Sequence, residues 1–390
     1  MMNLCFATTF DARDISNWSG TPYHMSRAFA EGGDSLHYIG NLKRQLPFGF
    51  RLKKFYKKLS AQRESPTFNE YAAKQYSAQV AQQLKNKNID AIISPLINPI
   101  AYLKSNKPIV LWTDALYAGL VGFYPAFARH SASSVRQGNQ ISKACLENCS
   151  LAIFSSDWAA RTALEMYGAD ERKVKVVPYG ANMECHHTTQ DIRNMLATRP
   201  RDRVKLLFLG KDWHRKGGDI VVRVAKALHT FGVPVEVNFV GGSPPQQMEV
   251  PSYIHCHGYI SKRTPEGLEK ITRLLRESHF LFVPSRAEAC AMVFAEANAF
   301  GLPVLTSYVG GITTVVKNHI NGMTFPLLAH ENIYCEYICQ LMQNYDEYER
   351  LALSSFDQYQ TRLNWRVATE KVRELIKEIP CLNGSVLKYS

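Results

Sequence analysis

Short apolar runs punctuate the first half of this chain, at Asn3–Thr8, Ser35–Ile39, Ala91–Ser94, Ile109–Thr113, Leu151–Ser155 and Val174–Pro178. Each reads as a buried strand. Between several of them the apolar spacing stretches towards one helical turn. Thr21 before Pro22 makes a cap and first turn for a helix through Ala30. Phe68–Leu84, Gln140–Glu147 and Asp157–Tyr167 read as helices too, the last capped by Ser156 or Asp157. The pattern then restarts. Val204–Leu209, Val235–Val240 and Tyr253–Cys256 read as strands, and Gly218–Phe231 and Pro265–Arg276 as helices. His279–Val283, a loop, a helix and Val304–Thr306 follow, and Glu331–Met342, Glu347–Leu363 and Val367–Ile376 close the chain in helical spacing.

Strands alternating with helices predict an α/β chain with two successive doubly wound domains and mainly parallel sheets. The polar stretch Ala181–Arg203, with Pro200, reads as the linker. We place the domains at 1–182 and 183–364, with the terminal helix, about 365–390, packing back on the first.

Composition narrows the setting. The chain has 390 residues and 46% hydrophobic content, enough for two cores. No apolar run approaches the ~20 residues of a membrane span. The start, Met1–Ala7, lacks the charged and apolar regions of a secretory signal. Nine cysteines lie without CxxC spacing. Cys145/Cys149 and Cys335/Cys339 are four apart, which on a helix fits buried small residues better than metal ligands. These features predict a cytoplasmic protein in a reducing compartment.

Charge adds one feature. The net charge is +12, and residues 1–180 carry most of it, with 22 Lys+Arg against 13 Asp+Glu. It concentrates at Lys43, Arg44, Arg51, Lys53, Lys54, Lys57, Lys58 and Arg63, interleaved with Phe48, Phe50, Phe55 and Tyr56. Lys43–Arg63 therefore suits an anionic membrane surface or an acidic acceptor, or is a solvated basic face. No nucleic-acid motif accompanies it, and no nucleic-acid partner is expected.

Candidate chemistry centres on Glu288 and Glu296. Glu288 falls in the loop after the His279–Val283 run, and Glu296 two turns along the following helix, on the face towards that loop. Ala289, Cys290 and Ala291 are small and open the helix, so its unpaired N–H groups can approach a phosphate or oxyanion. An ordinary amphipathic helix with a capping acid accounts for the same residues. Gly210-Lys211-Asp212-Trp213-His214-Arg215-Lys216-Gly217-Gly218 follows the first strand of the second domain, where doubly wound folds bind phosphates. Lys211, Arg215 and Lys216 suit a pyrophosphate, though a charged tight turn has the same composition. In the first domain, Gly20 follows the first strand and offers a backbone N–H with no side chain in the way. Val309–Ile312 is a second close-approach loop or a tight turn.

These segments resemble the retaining, nucleotide-sugar-dependent glycosyltransferases of family 4, the "group 1" set with the GT-B fold. The resemblance rests on Val177–Asn182, Leu207–Gly210 through Gly218, Phe282–Glu288 through Glu296, Ala299–Val304, Gly310-Gly311 and Asn321-Gly322. It implies two Rossmann-like domains facing across a cleft. Glu288 resembles the first glutamate of Glu-x7-Glu, on donor sugar hydroxyls, and Glu296 the second, on the ribose. Ala289, Cys290, Ala291, Met292 and Val293 supply N–H groups for sugar and diphosphate. Lys216 matches the lysine on the diphosphate. The second cation is Lys211 or Arg215. Gly258, Tyr259 and Ile260 stand where the family grips the base. Asp114, after the strand Ile109–Thr113, stands where many members carry a histidine.

The implied reaction is transfer of a hexose-type sugar from a nucleoside-diphosphate sugar to a glycan or glycolipid hydroxyl, with retention. No Asp-x-Asp metal motif is present. No metal and no cofactor beyond the donor substrate are expected, and attachment is cytoplasmic or peripheral on the inner membrane face. A soluble-acceptor synthase, a nucleotide-sugar epimerase of the same fold and a non-enzymatic sugar-binding protein are the alternatives. A nicotinamide dehydrogenase is disfavoured, because no G-x-G-x-x-G follows the first strand.

Overall fold

The computed structural model of the protein describes residues 1–44, 65 and 67–380. Of the basic segment, Lys43 and Arg44 fall within these; residues 45–63 lie outside, as does the terminal stretch 381–390. The chain divides into two compact units, Met1–Tyr179 with the segment from Trp365 onwards, and Gly180–Asn364.

The first unit is built on a six-stranded sheet of β1 (Asn3–Ala7), β2 (Ser35–Ile39), β3 (Ala91–Ser94), β4 (Ile109–Thr113), β5 (Leu151–Phe154) and β6 (Val174–Val176). All neighbours are parallel, in the order β2-β1-β3-β4-β5-β6. β3, β4 and β5 are buried along their whole length, which is why they read as continuous apolar runs. The helix Ala132–Asn148 starts two turns before the apolar spacing begins, because Ser131 caps the Ser134 N–H ahead of a polar first stretch. The helix Thr21–Glu31 is capped by Gly20, at φ +83°, so Thr21 is its first residue rather than its cap. Ser156, not Asp157, caps the next element, its hydroxyl accepting from the Ala159 N–H at 3.3 Å. That helix runs as Asp157–Arg161 and then widens into a π turn at Thr162–Met166.

The last described helix, Trp365–Lys377, belongs to this unit. Trp365 packs against Trp112 and Tyr179 at ring separations of 5.7 and 5.4 Å. Arg373 Nε meets the buried Asp34 carboxylate at 2.6 Å.

The second unit repeats the architecture with β7 (Val204–Gly210), β8 (Val235–Gly241), β9 (Ile254–Cys256), β10 (Phe280–Val283), β11 (Val304–Ser307) and β12 (Gly322–Phe325). The order is β12-β11-β10-β7-β8-β9, again parallel throughout. Counted from β7, this is the 3-2-1-4-5-6 order of dinucleotide-binding folds. The order reverses between β7 and β10. Helices on either side of a switch point leave a crevice at the strand C-termini. The loops after β7 and β10 are the two that open there.

Candidate functional site

The loop after β7 holds the three cations, and the loop after β10 holds Glu288. Backbone bonds fold the first loop back on itself: the Lys216 N–H donates to Asp212 O at 2.9 Å and the Gly217 N–H to His214 O at 3.1 Å. This reversal carries Arg215 and Lys216 towards β10. The Lys216 ammonium donates to Glu288 Oε2, and Arg215 Nη1 stands 3.3 Å from the same oxygen. Arg215 Nη1 also donates to Ala287 O at 2.9 Å. Its Nε lies 3.4 Å from Asp212, a half-exposed carboxylate. Glu288 is 5% exposed and Lys216 9%.

Small residues make this approach possible. A Cβ on Gly217, at φ +79°, would stand 2.1 Å from Pro284 O. A Cβ on Gly210 would meet the Lys216 stem at 2.9 Å. The loops are knitted at a second point: the Arg286 N–H donates to Arg215 O at 2.7 Å, and its guanidinium grips Asp219 at 2.7 and 2.8 Å. Burial alone would raise the Asp219 pKa, but Arg286 holds that carboxyl below its usual range. The Gly311 N–H donates to Glu288 O at 2.9 Å, so the Val309–Ile312 loop docks on the same element.

Lys211 goes elsewhere. Its ammonium sits 4.7 Å from the centre of the Tyr259 ring, a cation–π contact on the β9 side. Tyr259 is exposed, and Gly258 beside it takes φ +64°. The Gly258 carbonyl accepts from the Gly241 N–H at 2.8 Å, which ties this loop to the end of β8. Ile260 packs partly buried against the core of the unit.

The helix carrying Glu296 is Met292–Asn298. Ala289, Cys290 and Ala291 therefore precede it rather than open it, with Ala291 as a non-helical cap at φ −97°. Met292 and Val293 are its first two residues. Glu296 lies one turn in, not two, and is 2% exposed. Its Oε1 accepts from the Lys262 ammonium, which also reaches Asn182 O at 3.4 Å. The sequence offered no signal for Lys262: it sits 34 residues from Glu296, in a loop of ordinary polar composition.

The other end of the Glu296 helix is fastened by Arg199, which is 3% exposed. Its guanidinium donates to Phe300 O and Gly301 O, each at 3.1 Å, to Tyr348 Oη at 2.6 Å and, through Nε, to Arg276 O at 3.1 Å. Phe300 and Gly301 follow the C-terminus of the Glu296 helix and Arg276 lies in the last turn of the helix Pro265–Glu277, and at such helix C-terminal ends the dipole favours a cation. Close by, His279 Nδ1 accepts from the Lys205 N–H at 2.9 Å while burial, reinforced by Arg199, holds its pKa down at about 3.

Gly20 and Asp114 belong to the first unit. Trp18, Ser19 and Gly20 form three successive left-handed residues, at φ +45°, +56° and +83°. Such strain in a non-glycine pair is costly and persists only where the surroundings enforce it. A Cβ on Gly20 would meet the Ile15 side chain at 3.2 Å. Asp114 directly follows β4, half-buried at the C-terminal end of the sheet.

Comparison with known proteins agrees with this architecture. Residues 203–344 match the model of the family described as glycosyl transferases group 1. D-inositol 3-phosphate glycosyltransferase of Nocardia farcinica is 28% identical over 206 residues, 50% of this chain and 45% of that protein. The enzyme of the same name from Xylanimonas cellulosilytica is 30% identical over 186 residues, 44% of this chain and 43% of that protein. The chain thus aligns with less than half the length of these curated relatives. Among solved structures, sucrose-phosphate synthase from Thermosynechococcus elongatus superposes with a TM-score of 0.68 at 16% identity, over 97% of this chain and 99% of that one. Anabaena HepE, solved in complex with UDP and glucose, gives 0.60 at 14% identity, over 97% of this chain and 100% of that one. Residues 203–344 of the second unit are thus similar to the glycosyl transferases group 1 family, and the chain's pair of parallel sheets has the GT-B fold.

Proposed function

We propose that the protein is a retaining glycosyltransferase that takes a hexose-type sugar from a nucleoside-diphosphate sugar. The observation that carries this is the pairing of Lys216 and Arg215 with Glu288 at the β7/β10 switch point. Two cations converge on one buried carboxylate, and the second acid beside Arg215, Asp212, is half-exposed and turned to solvent, so the guanidinium and ammonium donors gathered here suit a diphosphate. In the proposed reaction these cations stabilise the charge developing on the departing diphosphate. Glu288, acceptor-only when ionised, takes donor-sugar hydroxyls and fixes the reacting carbon. Glu296 takes the ribose, and Gly258–Ile260 the base. The leaving phosphate oxygen receives the acceptor's proton on the face it departs from, so no carboxylate serves as a nucleophile. Lys211, held over Tyr259, is on this reading a wall of the nucleotide site, and Arg215 is the second cation on the diphosphate.

With cations on the leaving group, the reaction is expected to need no divalent metal; full activity after EDTA treatment is the expected result, and rescue by added metal contradicts it. The acceptor is a hydroxyl of a glycan or glycolipid, reached from the inner membrane face with help from Lys43–Arg63. A second reading is a soluble acceptor such as a cyclitol phosphate or sugar phosphate, which the names of the inositol-phosphate and sucrose-phosphate enzymes favour. Nucleoside diphosphate release across UDP-, GDP- and ADP-sugars tests the donor. Adding lipid extracts or inositol and hexose phosphates in turn then tests the acceptor. Donor consumption with epimer formation and no acceptor would overturn transfer.

A further inference from the structure

We infer that Lys262 and Glu296 act together as a donor–acceptor clamp on the ribose diol of the nucleotide, with Lys262 a specificity-determining residue. This rests on the proposal that Glu296 serves the ribose. A lone glutamate can only accept hydrogen bonds from a pair of hydroxyls. Here Oε1 is already taken by the Lys262 ammonium. Among the described residues Oε2 has no hydrogen-bond partner. The ammonium has three N–H groups, of which one goes to Oε1 and one to Asn182 O. Its third can donate to a ligand oxygen.

An open acceptor and an open donor thus stand side by side. A cis-diol presents the complementary pair, an O–H on one carbon and an oxygen lone pair on the next. Lys262 is four residues beyond Gly258, in the same loop proposed for the base, which puts the clamp next to the base rather than next to the diphosphate cations. The exposures agree with this division: the Glu296 side chain is 2% exposed and anchored, while that of Lys262 is 34% exposed and can reach a ligand.

The test uses the full chain and calorimetric titration with UDP, GDP and ADP. The tightest of the three is then compared with its 2′-deoxy and 3′-deoxy counterparts. The wild-type protein is expected to prefer the ribonucleotide by on the order of ten-fold or more over at least one counterpart. Lys262→Met is expected to weaken the ribonucleotide to the level of that counterpart while hardly changing the counterpart itself. Lys262→Arg keeps the preference. Because Lys262→Met leaves a buried carboxylate unpaired, the double variant Lys262→Met/Glu296→Gln is measured too and is expected to show no preference. If Lys262→Met keeps the full preference, or weakens both ligands equally, the clamp is wrong. If Glu296→Gln loses the preference while Lys262→Met keeps it, the ribose role of Glu296 stands and only the clamp falls. If the wild-type protein shows no preference, or binds none of the three, the ribose assignment falls with it.

Discussion

Glu288 carries the heaviest demand on any single residue. It is buried with Lys216 and beside Arg215, and removing one partner of such a group leaves an uncompensated charge. Lys216→Ala is therefore expected to lower kcat by roughly 10²–10³, the usual cost of one preorganised donor at a developing oxyanion. Glu288→Ala should lose most turnover while still binding free nucleoside diphosphate, a split read by steady-state kinetics alongside calorimetry. Equal loss of binding and turnover would place Glu288 on the nucleotide instead. Much of this site was legible in the sequence, because the cationic loop and the two glutamates sit at strand ends that apolar runs reveal. Which of Lys211 and Arg215 stands beside Glu288 was not. It depends on the turn from Asp212 to Gly217, which points one cation at Glu288 and leaves the other over Tyr259. Lys262 was invisible for a related reason: only the folded path of the Gly258–Thr264 loop brings it to Glu296.

At the scale of elements, the site depends on two loops and one short helix being held in register. Gly217 is the tightest joint. A side chain there meets a backbone carbonyl and also requires a left-handed conformation, so Gly217→Ala is expected to destabilise the second unit by several kcal/mol, on the order of the larger single-site losses. Denaturant unfolding checks this; a change under about 0.5 kcal/mol would mean that the loops are not docked as described. Arg199 holds the far end of the Glu296 helix through the Phe300 and Gly301 carbonyls and the Tyr348 hydroxyl. Arg199→Met should cost about 3 kcal/mol, since it strands buried acceptors as well as removing the cation.

His279, beside Arg199 and Lys205, gives the fold a pH dependence. Its folded pKa of about 3 lies below the unfolded value near 6.5, so the unfolded chain binds a proton first as pH falls. Stability is fully present above pH ~6.5 and declines towards pH ~3, with a limiting slope of about 1.4 kcal/mol per pH unit from this group. His279→Gln should flatten that slope in denaturant titrations at pH 7, 6 and 5; an unchanged slope would mean the ring titrates normally. The strands bracketing these groups were legible as unbroken apolar runs. β12 was not, because Gly322–Phe325 is short, starts with glycine and lies at the edge of the sheet beside β11. The start of the Glu296 helix was misplaced because small residues suit a helix and a close-approach loop alike, and Ala291 takes an extended conformation.

Across the whole molecule, one strand–helix pattern is used twice, and the chain returns to its first unit for the Trp365–Lys377 helix. The second unit carries the family match, the switch-point cations and both glutamates, so the donor reading stands on it alone. Acceptor choice is the part a family match over residues 203–344 does not reach. Among the described residues no helix is long and apolar enough to cross a membrane. If the basic segment serves a lipid-linked acceptor, the protein should float with anionic liposomes, release with salt, and lose binding when Lys53, Lys54, Lys57 and Lys58 are reversed. Flotation unaffected by salt or by those reversals would leave the segment a solvated face. The most direct measurement of the central claim is nucleoside diphosphate release by the purified full chain across UDP-, GDP- and ADP-sugars, beside the Lys216→Ala and Glu288→Ala variants. Release from one donor class, lost in both variants while Glu288→Ala still binds the nucleotide, is the predicted result. Release that persists unchanged in both variants would contradict it.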